Sequence, residues 1–122
     1  PDMCGNLDPL MDMLCYFRTP QDLTSRIQSL YTKLDTDASR SLDFWEMKIG
    51  LLKLNLDEEI NLSVDDWETL THGHSFCDED GGITPDAFET IIRVQLEQYV
   101  YRRIMRGMQH ASEGEMDLLL VL

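Results

Sequence analysis

No stretch limits the folding of this chain as tightly as Asp35-Thr36-Asp37-Ala38-Ser39-Arg40-Ser41-Leu42-Asp43-Phe44-Trp45-Glu46. Oxygen-bearing side chains stand at every second residue from Asp35 to Asp43, and a further carboxylate follows at Glu46. So many like charges repel one another, and 35–43 reads as a solvated polar loop rather than a buried strand. Both flanks are apolar at helical spacing. Leu23, Ile27, Leu30, Tyr31 and Leu34 fall on one face before the loop, behind a start signal of Thr19, Pro20 and Asp22. Phe44, Met47, Ile49, Leu51, Leu52 and Leu54 continue after it, and the helix gives out near Asn55.

The loop has the chemistry of a hard-cation site. Calcium takes six to eight oxygens at about 2.3–2.6 Å, and a twelve-residue loop offers them from positions 1, 3, 5, 7, 9 and 12. Here those positions are Asp35, Asp37, Ser39, Ser41, Asp43 and Glu46. Ser41 would give its backbone carbonyl, Asp43 would act through water, and Glu46 would close the site with both carboxylate oxygens. This pattern, with apolar Leu42 at position 8 and a helix on each side, resembles the EF-hand family. One departure is Arg40 at position 6, where the sharp turn normally takes glycine. A non-glycine residue held left-handed there costs roughly 1–2 kcal/mol, which would weaken affinity by about tenfold without removing a ligand.

The resemblance implies a second hand to cover the first. Asp78-Glu79-Asp80-Gly81-Gly82-Ile83-Thr84 resembles the middle of such a loop, with Gly81 at position 6 and Ile83 at position 8. Position 1 then falls on Phe76 and position 12 on Ala87, and neither offers a carboxylate. The second loop is therefore read as degenerate and structural, with Phe88 as the first aromatic anchor of its exit helix. Leu42 and Ile83 are expected to join the loops through a short antiparallel, two-stranded bridge. A zinc reading of His72, His74 and Cys77 lacks a fourth ligand nearby.

The expected architecture is all-α: paired EF-hands in 19–110, the first over 20–54 and the second over 63–108. An extra N-terminal apolar helix occupies 1–18, and 111–122 form a C-terminal tail. Asp8 before Pro9 reads as a cap, and Ser63 with Asp66 as a capping box. Thr84 and Pro85 open the longest helix, which runs through Ile91, Leu96, Val100 and Ile104 to about His110. The first helix, Leu10 to Phe17, is apolar on nearly every side and needs cover, either from the core or from the rest of a larger protein.

Ten Lys+Arg against 23 Asp+Glu leave a net charge of -13. Such a surface repels phosphates and anionic headgroups, so no nucleic acid is expected as a partner. Residues 88–110 are the local exception, with Arg93, Arg102, Arg103 and Arg106 against Glu89 and Glu97. Cys4, Cys15 and Cys77 are odd in number and contain no Cys-x-x-Cys pair, which fits a reducing compartment. No apolar run reaches the roughly 20 residues of a membrane span. The first residue is Pro1 rather than Met. Together these give the expectation of a cytoplasmic module, cut from a larger protein. His72, His74 and the scattered carboxylates make no nucleophile–base spacing, so no enzymatic activity is expected.

Lys33-Leu34-Asp35-Thr36-Asp37, Leu42-Asp43-Phe44 and the helix reaching Tyr101-Arg102-Arg103 carry a further resemblance. It is to the cytosolic EF-hand regions that follow the pore in voltage-gated-type cation channels, particularly protist ones. The resemblances imply a calcium-responsive regulatory domain with one competent site, of affinity on the order of 10⁻⁶–10⁻⁴ M. Its output would be an apolar groove around Phe44, Met47, Leu51 and Phe88, open to a partner helix or to the rest of the parent protein. The alternative is a calcium-independent EF-hand scaffold for protein–protein interaction.

Overall fold

The computed structural model describes residues 5–54, 56 and 58–106, so the expected tail 111–122 and the expected helix end near His110 lie outside the described residues. A 3-10 turn over Gly5–Leu7 leads into α1 (Asp8–Leu14), followed by α2 (Pro20–Leu34), α3 (Phe44–Lys53), α4 (Val64–Leu70) and α5 (Pro85–Arg106). The start signals act through identifiable bonds. Thr19 accepts the Asp22 N–H, and Ser63 with Asp66 forms a complete capping box ahead of α4. Asp43 and Glu46 form another ahead of α3. These side chains satisfy N–H groups that the first helical turn leaves without an intrahelical acceptor.

Asp8 departs from its expected role. It lies inside α1, whose N-cap position is Leu7 with no side-chain cap bond. Its carboxylate instead receives two hydrogen bonds from Arg102 on α5, at 2.9 and 3.2 Å. Tyr99 and Arg103 donate to Asp12 at 3.0 and 3.3 Å. Leu7, Leu10, Met11 and Leu14 are buried, so the N-terminal helix is covered by the core of its own chain. The basic residues of α5 are thus partly matched by acidic residues of α1.

The core takes one face from each helix. Leu23, Ile27, Leu30, Tyr31 and Leu34 of α2, Met47 and Leu51 of α3, and Trp67 and Leu70 of α4 join Phe88, Ile91, Ile92, Leu96 and Val100 of α5. Ile60 and Leu62, in the connection between α3 and α4, are equally buried. A Cβ on Gly50 would collide with the Leu34 side chain, so α3 approaches the end of α2 where it has no side chain. Among the described residues no helix is long and apolar enough to cross a membrane.

The all-α character fits, but the expected two-stranded bridge between the loops is corrected: among the described residues there is no strand. The loops meet at a single antiparallel residue pair, Leu42 with Ile83. Each N–H donates to the other's carbonyl at 2.9 Å. The pairing cannot lengthen because α3 begins two residues after Leu42 and α5 two residues after Ile83. Pro85 also has no N–H to offer a ladder. Tyr31 holds the pair from below, its hydroxyl donating to the Ile83 carbonyl at 2.7 Å.

Candidate metal centre

Asp35 is where α2 stops: its N–H still donates to the Tyr31 carbonyl at 2.8 Å, but its backbone has left helical geometry. The side chain is buried, at 7% exposure, and the loop wraps around it. Oδ1 accepts from the Ser39 N–H at 3.2 Å and Oδ2 from the Arg40 N–H at 2.8 Å. Asp37 accepts from the same Ser39 N–H at 3.1 Å, and Ser39 bonds hold its carboxyl below the usual range. To curl this tightly, Ala38 and Arg40 take left-handed backbones, with φ of 55° and 62°. Arg40 therefore holds a left-handed backbone, the region that favours glycine, with a full side chain.

Asp35, Asp37 and Glu46 each present one carboxylate oxygen, all within 4.8 Å of one another. Oxygens this close together can share one metal ion. Desolvation pushes the Glu46 carboxyl up, and the nearby Asp37 and Asp43 charges add to it. Glu46 Oε1 accepts the Asp43 N–H at 3.2 Å, while Oε2 is shielded from solvent and has no hydrogen-bond partner among the described residues. An unpartnered, desolvated carboxylate oxygen is costly, on the order of 1–3 kcal/mol. A metal ion held among Asp35, Asp37 and Glu46 would give it a partner.

The remaining expected ligands lie around this cluster in different ways. The Ser39 hydroxyl is 3.3 Å from Asp35 Oδ1 and 3.0 Å from the Ser41 carbonyl, so Ser39 links the two. Asp43 is not gathered with the three carboxylates. Its Oδ1 accepts the Glu46 N–H at 2.8 Å, which makes it the cap of α3.

Among the described residues the second loop holds no comparable cluster. Phe76 sets its ring 5.1 Å from His72 at a right angle, and Ala87 packs against the core. Asp78 Oδ1 accepts the N–H groups of Asp80 and Gly82 at 2.9 and 3.1 Å, and Oδ2 accepts the Ser41 hydroxyl at 2.7 Å. These bonds, Ser41 first, hold the Asp78 carboxyl below its ordinary range. His74 lies 3.9 Å from Glu68, and burial raises the Cys77 thiol. His72, His74 and Cys77 are not brought together as a ligand set.

The residues expected to line a groove are mostly core. Met47, Leu51 and Phe88 are buried, and the Phe88 ring packs edge-on against Tyr31 at 5.3 Å. Phe44 is half-buried, between Trp45 at 5.4 Å and Trp67 at 6.0 Å. The open apolar surface is on the other side of α3, where Trp45 and Ile49 are 64% and 47% exposed. There a cavity of about 350 Å³ is lined by Leu34, Trp45, Glu46, Ile49, Gly50 and Lys53. Sequence reasoning placed Ile49 and Leu52 in the helix without separating the two faces. The signal was present in the spacing of Trp45, Ile49 and Leu52 beside that of Phe44, Met47 and Leu51.

Comparison with family models, with curated proteins and with solved structures finds no match for this chain.

Proposed function

We propose that this chain is a calcium-binding regulatory domain of the EF-hand type. In this reading Asp35, Asp37 and Glu46 are the carboxylate ligands of one competent site, with Ser39, the Ser41 carbonyl and Asp43 as its further oxygens. The observation that carries it is the convergence of three carboxylates from loop positions 1, 3 and 12, one of them with a buried, unpartnered oxygen. The second loop is a structural counterpart without a site of its own, in keeping with Phe76 and Ala87 at its ends and with the bonds that engage Asp78.

When bound, calcium supplies positive charge that offsets the repulsion among these carboxylates. The rest is done by the chain. Glu46 lies in the first turn of α3, so a shift of its carboxylate toward Asp35 and Asp37 carries that helix with it. Met47 and Leu51 ride on the same helix and are packed in the core. Their displacement is the route by which a local charge change becomes an exposed apolar surface for a partner helix or for the parent protein.

Calorimetric titration of the full chain with calcium tests the proposal. One site with affinity between micromolar and a tenth of millimolar is the expected result. No heat at millimolar calcium, with helicity intact by circular dichroism, would overturn it in favour of a calcium-independent scaffold. Two sites would overturn the reading of the second loop. A voltage-gated-type cation channel as the host protein is proposed from the motif resemblance alone. Membrane-spanning segments encoded upstream of Pro1 would support that host, and a soluble catalytic domain there would refute it.

A further inference from the structure

We propose that Asp78, on the loop that takes no ion, is a positioning residue that sets the affinity of the other loop for its cation. The inference rests on reading Asp35, Asp37 and Glu46 as a calcium site. It concerns a residue that is not a ligand of that site.

Asp78 stands at a position where a working second loop would use a carboxylate ligand, yet its oxygens face elsewhere. Oδ1 ties down its own loop through the Asp80 and Gly82 N–H groups. Oδ2 reaches across to the Ser41 hydroxyl at 2.7 Å, thirty-seven residues away in sequence. A hydroxyl donating to a carboxylate makes a stronger bond than one donating to a neutral acceptor. The Ser41 hydroxyl also lies close against Gly82, since a Cβ there would collide with it. Only a residue without a side chain lets the two loops approach so closely.

The bond matters to the cation cluster because of what Ser41 does with its other atoms. Its carbonyl is the position-7 oxygen, and the Ser39 hydroxyl lies 3.0 Å from it and 3.3 Å from Asp35 Oδ1. A contiguous path therefore runs from Asp78 through Ser41 and Ser39 to the buried Asp35. Beside it, the Leu42–Ile83 pair fixes the backbone of the next residue with two hydrogen bonds. Together they hold the Ser41 peptide in one orientation, so that its carbonyl need not be ordered when an ion arrives. Preorganisation of this kind raises affinity by removing an ordering cost.

The test is a double-mutant cycle in calcium affinity on the full chain, using Ser41→Ala, Asp78→Ala and both together. Ser41→Ala keeps the carbonyl ligand and the Asp78 charge but removes the cross-loop bond. It should weaken calcium binding about fivefold to tenfold. Asp78→Ala should weaken it further, because a nearby negative charge is lost as well. In the Ser41→Ala background, the effect of Asp78→Ala should shrink by the part the bond carries. Thermal midpoints in chelator, measured on all four proteins, separate loss of fold from loss of affinity. Should Asp78→Ala fail to fold, Ser41→Ala alone decides.

Unchanged affinity in Ser41→Ala, or strictly additive effects, would overturn the inference and leave the calcium site standing. That outcome would mean that Asp78 acts through its charge alone. Absence of calcium binding by the unaltered chain would instead remove the site reading, and this inference with it.

Discussion

Replacing Glu46 by glutamine should have opposite effects on the chain with and without calcium. In chelator, the carboxylate crowds Asp37 and Asp43, and Oε2 is buried with no hydrogen bond among the described residues. Glutamine removes the charge and brings an N–H donor to a neighbourhood of carboxylates. Its carbonyl can still accept the Asp43 N–H, as capping boxes allow either residue. One gained hydrogen bond gives about 0.5–1.5 kcal/mol, a rise in thermal midpoint of about 2–6 °C for a domain of this size. The pH dependence follows the same sign. The Glu46 carboxyl lies above its ordinary 4.5, so the folded state holds the proton more tightly than the unfolded one. Stability is then lost as pH rises from 4.5 through the raised value, and the glutamine variant should lack that slope.

In calcium the order should reverse. At a concentration of about 100 times the dissociation constant, binding stabilises the unaltered chain by about 2.7 kcal/mol. Disturbing even the outer partners of metal ligands weakens sites by about 10–100-fold, and Glu46 is proposed as a ligand. A variant weakened 100-fold gains only about 0.4 kcal/mol at the same concentration. Differential scanning calorimetry of both proteins, in chelator and in calcium, reads the crossing directly. A lower midpoint for Glu46→Gln in chelator would refute the picture of a carboxylate with one buried, unpartnered oxygen. Equal gains in calcium would refute the role of Glu46 as a ligand.

Arg40 already has φ of 62° in this structure, so its strain falls on folding rather than on ion binding. Arg40→Gly should relieve roughly 1–2 kcal/mol, partly offset by about 0.5–1 kcal/mol of unfolded-state entropy. Calcium affinity should stay within about threefold, a change of less than about 0.7 kcal/mol. A tenfold tightening in calorimetry would contradict this. Gly82→Ala forces a Cβ against the Ser41 hydroxyl and within 3.3 Å of the Leu42 backbone, and should cost about 1–3 kcal/mol. An unchanged urea midpoint would show that the loops are not so closely apposed. Burial raises Tyr31 and Tyr99 to about 12, helped by the Asp35 charge and by the bond to Asp12 respectively. Each phenol then stabilises the fold fully below pH 10 and loses that contribution as pH rises from 10 toward 12. An ultraviolet titration should show late-ionising phenols, one of them missing in Tyr99→Phe. A single transition for all four tyrosines near 10 would refute it.

The helices and much of the cluster were legible in the chain because their causes are local. Apolar residues three or four apart must share a helical face, and Leu23, Ile27, Leu30, Tyr31 and Leu34 all proved buried. Thr19, Ser63 and Thr84 found their acceptor roles within three residues. Carboxylates at Asp35, Asp37 and Glu46 converge because α2 ends and α3 begins on either side of a loop too short to keep them apart.

What composition and spacing could not give depends on partners distant in sequence. Asp8 reads as a cap until Arg102, far along the chain, is seen to hold it. Nothing near Asp78 in sequence shows its bond to Ser41 across the loop pair, or that Gly82 must lack a side chain for that approach. A strand pair was expected at Leu42 and Ile83, but the helix starts at Phe44 and Pro85 leave room for one residue pair. Ile60 and Leu62 carry no helical periodicity, so only the packed core marks them as interior. Local spacing sets which segments form helices and which residues carry oxygen. Packing sets which of those oxygens face one another, because hydrogen bonds and close approaches across loops depend on residues far apart in the chain.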